Sequence, residues 1–247
     1  MENRNRSNKF KRDLMVSPSM CDGDSLMSIP AAFDLFQDTA TMHADTLDIG
    51  PAGMNRRRMF WVITKTVMRI ERRPEMMDDI SCETWIQAAD RASCERDFAI
   101  RAGDEVLAEG RSIWAVISRE TGRLVHMDEL YPTGIDFDKP APEGIEFERI
   151  GKKFADAELI GAYTVRSIDI DLGGHMNNVN YVRAMLGCFS SEQIRAMGIK
   201  AIEVNYISQT YEGETIEFRV RGTENGPEIG AVNTEGKAVF IAKLYTE

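Results

Sequence analysis

The chain has 247 residues, of which 43% are hydrophobic, and a formal net charge of -10 at pH 7. This length allows one large domain or two modest ones, and the composition is ordinary for a globular chain with a buried core. The acidic balance argues against nucleic acid as the main partner, and no apolar run is long enough for membrane insertion. The four cysteines form no C-x-x-C pair, which argues against zinc or disulfides and favours a reducing cytoplasm.

The first half begins with a strand-like segment at residues 10–16, followed by a loop and a long helix. Apolar positions recur in this helix at steps of three or four, and Ser28 is the predicted N-cap. His43 lies on the apolar face, which predicts a core or interface histidine. Gly50 and Pro51 are expected to end the helix.

Four strand-like runs follow the helix, separated by short turn signals, and their order predicts an antiparallel meander. The runs cover residues 59–70, 80–88, 94–101 and 106–117. Residues 119–160 lack this regularity and contain several prolines and glycines. A connection of this length is uncommon within one compact unit, so it predicts a linker between two domains.

The second half repeats the order of the first. A strand at residues 162–168 and a helix at residues 179–197 precede strands at residues 201–207, 214–221, 228–233 and 237–245. Laid on the first half without gaps, residues 165–178 match residues 16–29. This duplication predicts an α+β fold of two tandem domains, each an antiparallel sheet wrapped around one long central helix. The predicted boundaries are residues 1–130, a linker at 131–160, and residues 161–247.

Residues 168–181 hold two Asp, one His, two Gly and three Asn directly before a helix. By itself this composition is typical of a turn and an N-cap. It also suits a ligand site, because glycine lets the backbone approach a ligand and a helix N-terminus directs N–H groups at it. In the first half, Leu26 falls opposite His175, so the two matching loops differ at this position.

The duplicated plan and these motifs resemble the acyl-acyl carrier protein (acyl-ACP) thioesterases, which carry two hotdog folds in one chain. The resemblance covers roughly residues 8–245 and is most specific at residues 169–181, where Asp-x-x-x-His precedes paired Asn and Tyr. Further matching pieces lie at residues 31–44, 60–63 and 83–85. It implies a hydrolase that releases fatty acids from acyl carrier protein and ends fatty acid biosynthesis, with no metal or cofactor. A homodimer remains open.

For the catalytic residues, the resemblance implies that Asp171 is the catalytic carboxylate and His175 its polar partner. Asn177 is expected to cap the helix and shape the site, and Gln209 occupies the remaining catalytic position. Asp169 is the weaker carboxylate candidate.

For substrate binding, the resemblance implies that the first half holds the acyl chain, with Phe33 and Trp61 among the lining residues. Asn178 and Tyr181 are the expected substrate contacts of the second half. The other residues expected to line the acyl site are Met20, Met59 and Trp85.

Two positions depart from the family pattern. Gly173 stands where the family usually has Asn, and Gln209 stands where it usually has Glu. Glutamine cannot act as a base, although it can orient water through hydrogen bonds. A non-catalytic acyl-binding protein therefore remains an alternative. A further alternative is an acyl-coenzyme A hydrolase, which would use the same site with a different carrier. Arginine clusters near Arg56 and Arg72 are either solvated surface or docking points for an acidic carrier or a phosphate.

Overall fold

The computed structural model describes residues 7–132, 134–137 and 139–246. Contacts divide the chain into two compact units. The first comprises the chain up to Thr64 together with Glu71–Ile145, and the second comprises Lys65–Ile70 together with the chain from Glu146. Among the described residues, no helix combines the length and apolar character needed to cross a membrane.

The first unit is a sheet packed on one long helix. Its elements are β1 (Lys9–Met15), α1 (Ile29–Thr46), α2 (Pro51–Arg56), β2 (Met59–Ile70), β3 (Asp79–Ile86), β4 (Cys94–Ala102) and β5 (Glu105–Ser118). The strands lie in the order β1-β3-β4-β5-β2, and the pairs β1–β3, β3–β4 and β4–β5 are antiparallel. Phe36 of the helix α1 stacks on Phe98 of β4, with ring centroids 4.4 Å apart.

The start of α1 is as predicted, but its end is not. The Ser28 side chain accepts the backbone N–H of Ala31, which confirms the predicted N-cap. The prediction that Gly50 and Pro51 end this helix is wrong, because α1 already ends at Thr46. Gly50 instead precedes the short helix α2, in which Pro occupies the first turn, where its missing N–H costs nothing.

His43 is a buried core histidine, as predicted, with 1% of its surface exposed. Its Nδ1 lies 2.9 Å from Nη1 of Arg96, and its Nε2 lies 2.9 Å from the carbonyl oxygen of Ser7. A guanidinium only donates and a carbonyl only accepts, so the ring is neutral with its proton on Nε2. Burial, and then the charge of Arg96, lower the pKa of His43 to about 4.

We expect His43 to make the protein less stable as the pH falls from 6.5 towards about 4. The pKa of His43 is lower in the folded protein than in the unfolded chain, so between these two values the unfolded chain binds a proton at His43 and the folded protein does not. The free energy of unfolding falls by about 3 kcal/mol at the acidic end of this pH range. Urea unfolding of wild type and His43→Gln across this range measures it. Equal pH dependence in the two proteins would refute the role of His43.

The second unit has the same plan as the first. Its elements are β6 (Glu158–Thr164), α3 (Asn178–Leu186), α4 (Ser191–Met197), β7 (Ala201–Tyr206), β8 (Thr215–Thr223), β9 (Gly226–Val232) and β10 (Ala238–Tyr245). The antiparallel strands lie in the order β7-β10-β9-β8-β6, and the Lys65–Arg69 part of β2 pairs with β7. Tyr181 of the helix α3 stacks on Phe240 of β10, with ring centroids 5.4 Å apart. Each unit is a hotdog fold, which confirms the predicted α+β class.

Two predictions for the second unit are wrong in detail. The single helix at residues 179–197 is two helices, because α3 ends at Leu186 and α4 begins after Ser190. Ser190 and Gln193 form a capping box, a start signal that was present in the sequence. The strand expected at residues 162–168 is β6, which ends at Thr164 and is followed by a 3₁₀ turn at Ser167–Asp169.

The segment before β6, expected to be part of the linker, packs on the sheet of the second unit. Phe154 is 2% exposed and clusters with Val232 and Ile241. A Cβ on Gly230 of β9 would lie 2.4 Å from the Phe154 ring, so glycine makes room for the ring. Phe240 faces α3, and its neighbour Ile241 therefore points to the opposite face of the sheet. The segment thus covers the face of the sheet that is turned away from the helix.

Candidate active site

Each unit has a loop of the same shape immediately before its main helix. An isolated bridge closes each loop, between Cys21 and Met27 in the first unit and between Ile170 and Met176 in the second. Three backbone hydrogen bonds of the first loop have an equivalent in the second. In the first loop they run from Asp22 N–H to Leu26 O, from Ser25 N–H to Asp22 O and from Ser28 N–H to Met20 O. In the second loop they run from Asp171 N–H to His175 O, from Gly174 N–H to Asp171 O and from Asn177 N–H to Asp169 O. The gapless match of residues 16–29 to residues 165–178 is therefore confirmed for the loops.

Asp22 and Asp171 occupy the same position in the two loops but have different partners. Each side chain accepts the backbone N–H two residues further on, at 3.0 Å and 2.7 Å respectively. Burial raises the pKa of Asp22, but hydrogen bonds from Arg73 and from the backbone outweigh it and hold this pKa below its usual range. Asp171 instead lies beside an imidazole, with 3.7 Å between its Oδ1 and Nδ1 of His175. The second unit therefore pairs the same carboxylate with a group that can exchange protons.

The surroundings of His175 indicate which ring nitrogen carries the proton. Nδ1 lies 3.5 Å from the carbonyl oxygen of Met176 and 3.7 Å from Oδ1 of Asp171. Both oxygens only accept hydrogen bonds, so they favour the tautomer protonated on Nδ1. The side chains of His175 and Asp171 are 18% and 26% exposed, so both are accessible. The lone pair of Nε2 is then available to a bound water or substrate.

Gly173 lies against both members of this pair. A Cβ at residue 173 would lie 2.7 Å from Nε2 of His175 and 2.9 Å from Oδ1 of Asp171. Both distances are shorter than a van der Waals contact, so any side chain here displaces the ring or the carboxylate. The glycine that departs from the family pattern is therefore matched to the arrangement of Asp171 and His175 in this chain.

Asp169 has a structural role in the loop. Its side chain is buried and accepts the hydroxyl of Tyr163 at 2.9 and 3.0 Å and the backbone N–H of Arg166 at 2.7 Å. Its carbonyl oxygen accepts the N–H of Asn177. With both carboxylate oxygens engaged, Asp169 positions the loop, in agreement with its lower rank as a catalytic candidate.

Asn177 and Asn178 lie at the start of α3. Oδ1 of Asn177 accepts the N–H of Val179 at 2.9 Å, which confirms its predicted role as the cap. The carbonyl oxygen of Asn177 accepts the N–H of Asn180. Among the residues that the structure describes, none accepts a hydrogen bond from the backbone N–H of Asn178. This N–H stands at the positive end of the helix, where it suits an anionic oxygen.

Tyr181 contacts the loop after β7, which lies beside the loop that carries His175. It is 3% exposed, and its hydroxyl donates to Oγ1 of Thr210 at 2.7 Å. The carbonyl oxygen of Thr210 accepts the N–H of Met176 at 2.8 Å. Tyr181, predicted as a substrate contact, therefore lies in the core, where it holds residue 210 beside the candidate site.

Gln209 corresponds to Arg73 of the first unit. The N–H of Met27 donates to Pro74 O, and the N–H of the equivalent Met176 donates to Thr210 O. Pro74 and Thr210 are therefore equivalent positions, and so are the residues directly before them, Arg73 and Gln209. Gln209 lies in the loop after β7, is exposed, and accepts the hydroxyl of Tyr211 at 2.9 Å. No hydrogen bond within the described part of the chain joins Gln209 to Asp171 or His175.

The predicted acyl-binding residues of the first unit lie in or against its core. Phe33 is 4% exposed on α1. Trp61 donates from Nε1 to the carbonyl oxygen of Ile49 at 2.8 Å and meets the Trp114 ring edge-on at 6.2 Å. Contact of these side chains with an acyl chain stays a prediction.

The arginine clusters form ion pairs within the first unit. Arg56 and Arg57 both form ion pairs with Asp48. Arg72 donates to Glu105 through two nitrogens, at 2.8 and 2.7 Å. These ion pairs agree with the interpretation of the clusters as surface charge, and docking of an acidic carrier or a phosphate there stays a prediction.

The fold and its loops define the class of protein: two tandem hotdog units, with an Asp–His pair in the loop of the second. Residues 7–133 match the acyl-ACP thioesterase N-terminal domain, and residues 152–242 match the acyl-ACP thioesterase C-terminal domain. The chain therefore belongs to the acyl-ACP thioesterase family.

Named relatives agree with this membership. A chloroplastic acyl-[acyl-carrier-protein] hydrolase of Cuphea viscosissima is 24% identical over 239 residues, which cover 85% of this chain and 58% of the relative. Oleoyl-acyl carrier protein thioesterase 2 of Arabidopsis thaliana is 25% identical over 225 residues, which cover 84% and 61%. The chain thus spans less than two thirds of the length of these relatives.

Solved structures share the fold. An acyl-ACP thioesterase from Bacteroides thetaiotaomicron has a TM-score of 0.85 at 21% identity and covers 100% of both chains. The 12:0-ACP thioesterase from Umbellularia californica has a TM-score of 0.86 at 22% identity and covers 98% of both chains. At this identity, the likeness establishes the two-hotdog architecture.

Proposed function

We propose that the chain is a thioester hydrolase that releases free fatty acids from acyl-acyl carrier protein. The observation that carries this proposal is the contrast between two loops of the same shape. The first unit neutralises its loop aspartate with Arg73, whereas the second places His175 beside the equivalent carboxylate. A loop needed only for the fold has no reason to replace a stabilising ion pair with an accessible acid–base pair.

The chemistry follows from the orientation of His175. Nε2 takes a proton from water as the water oxygen attacks the thioester carbonyl carbon, and Asp171 stabilises the imidazolium across 3.7 Å. When the carbon–sulfur bond breaks, the imidazolium returns the proton to the departing sulfur. The products are a fatty acid and the free thiol of the carrier.

The oxyanion requires donors, and we assign this role to two groups of the second unit. The backbone N–H of Asn178 stands at the start of α3, where the helix dipole favours negative charge. Tyr211 holds Oε1 of Gln209, which leaves the amide NH₂ of Gln209 as a donor. Glutamine thereby serves as a hydrogen-bond donor where the family pattern has a carboxylate.

Adding a methyl group at residue 173 should lower kcat by about ten- to a hundredfold. In the Gly173→Ala variant, the new Cβ displaces His175 or Asp171 and closes the side of the pair that water reaches. Gly23→Ala in the first loop is the control, because it adds the same methyl group at a position where a Cβ has nothing within 4 Å. Steady-state thiol release measures both variants, and equal rates for them would show that space at residue 173 is unimportant.

The carrier is the second part of the proposal. Free carrier protein should compete with acyl-ACP more strongly than free coenzyme A does, and the reverse order would favour the acyl-coenzyme A alternative.

All four cysteines are free thiols, in keeping with a reducing cytoplasm as the site of the reaction. If acyl-ACP binds but releases no thiol, the non-catalytic acyl-binding alternative holds.

A further inference from the structure

The second unit contains a cavity of about 770 Å³ on the face of the sheet turned away from α3. Its apolar lining includes Phe154, Ile207 and Ala238, which belong to the cluster that the segment before β6 forms on the sheet. A volume of this size and an apolar floor with a few polar groups are typical of small-molecule sites. The cavity therefore suits an organic ligand rather than a single ion.

The charged side chains around this cavity are mostly basic. Four of them, Lys152, Lys153, Arg221 and Lys237, face one acid, Asp156. Arg221 pairs with Glu228, and Lys237 pairs with Glu235 at 2.8 Å.

Lys152 and Lys153 are exposed, and within the described ranges neither forms an ion pair. On a chain with a net charge of -10, these two ammonium groups outnumber Asp156 at the rim of the cavity and make it locally positive, which favours an anionic ligand. Lysine is a common phosphate ligand, acting as a point charge.

The cavity is close in sequence and space to the candidate active site. Its wall includes Ile207 and Ser208, which directly precede Gln209 and Thr210. The Cα atoms of Ser208 and Thr210 are at most about 7 Å apart, since they are two residues apart. Thr210 O in turn accepts the N–H of Met176, the neighbour of His175. Ser208 therefore connects the wall of the cavity to the loop that carries His175 through two residues of chain and one backbone hydrogen bond.

We propose that this cavity binds the phosphate of the phosphopantetheine arm on which the thioester is presented. The inference rests on the proposed function, because it assigns a subsite to the same substrate. Lys152 and Lys153 contact the phosphate, the apolar floor supports the arm, and the thioester end lies at the Asp171 loop. Binding of the arm here needs no contribution from the arginine clusters of the first unit.

The test compares S-acyl-phosphopantetheine with S-acyl-pantetheine, which lacks the phosphate. Wild type should favour the phosphorylated substrate in kcat/KM, and the double variant Lys152→Ala/Lys153→Ala should lose about tenfold on that substrate alone, through KM. The carbonyl oxygen of Lys153 accepts a bond from Arg221, so the backbone keeps its contact without the lysine side chain. Lys9→Ala/Lys11→Ala in the first unit removes the same charge and should leave the preference unchanged.

Equal losses in the two double variants, or equal losses on the two substrates, would overturn the phosphate site. Calorimetry with phosphopantetheine provides a readout that does not depend on turnover. Weaker binding to Lys152→Ala/Lys153→Ala supports the site, and unchanged binding refutes it. If this binding behaves as expected while no thioester is hydrolysed, the proposed function fails and the phosphate site stands.

Discussion

Replacing Asp171 with asparagine is expected to lower kcat for thioester hydrolysis by about a hundred- to ten-thousandfold. Asparagine retains an oxygen for the N–H of Gly173, which Asp171 accepts at 2.7 Å, so the loop keeps its shape. It carries no charge, and the imidazolium of His175 loses its stabilising partner. Single-turnover release of thiol from acyl-ACP measures the chemical step directly.

The first unit supplies the matched control, Asp22→Asn. This change also keeps the side-chain bond to a backbone N–H, that of Asp24 at 3.0 Å, and removes the charge that pairs with Arg73. We expect a lower melting temperature and an unchanged kcat. Similar losses of kcat in both variants would mean that the two loops act only through stability.

Replacing His175 with leucine should lower kcat by about a hundred- to ten-thousandfold with little loss of stability. Leu26 occupies the same position in a loop with the same hydrogen bonds, so the chain itself shows that leucine is compatible with this conformation. The variant lacks the nitrogen that accepts the proton of water. Steady-state kcat and the urea midpoint, measured on the same sample, separate catalysis from folding.

The reciprocal change, Leu26→His, is the control for this second prediction. It places a histidine beside Asp22 in the first loop, where Asp22 already forms an ion pair with Arg73. We expect no change in kcat. A His175→Leu protein that hydrolyses at the wild-type rate would exclude histidine from the reaction.

Local patterns were sufficient to predict the parts of the fold that depend on neighbouring residues. The caps at Ser28 and Asn177 and the correspondence of the two loops follow from side chains within a few positions of each other. The break before α4 was also encoded locally, in the capping box of Ser190 and Gln193, but the continuous apolar spacing concealed it.

Features that depend on distant contacts could not be predicted in this way. Arg73 reaches Asp22 across 51 positions, and nothing in either segment alone indicates the pair. The fit of Gly173 against the His175 ring depends on how the loop turns, so the sequence showed only a missing side chain. The cavity beside Phe154 involves the irregular segment before β6, for which periodicity predicts no structure.

Thiol release from acyl-ACP substrates of graded chain length tests the central claim most directly. We expect saturable release by the wild-type chain, loss of release in Asp171→Asn, and full release in Asp22→Asn. Release no faster than in buffer alone, at every chain length, would contradict hydrolysis by this chain. Wild-type release that persists in Asp171→Asn would contradict the assignment of the reaction to the second loop.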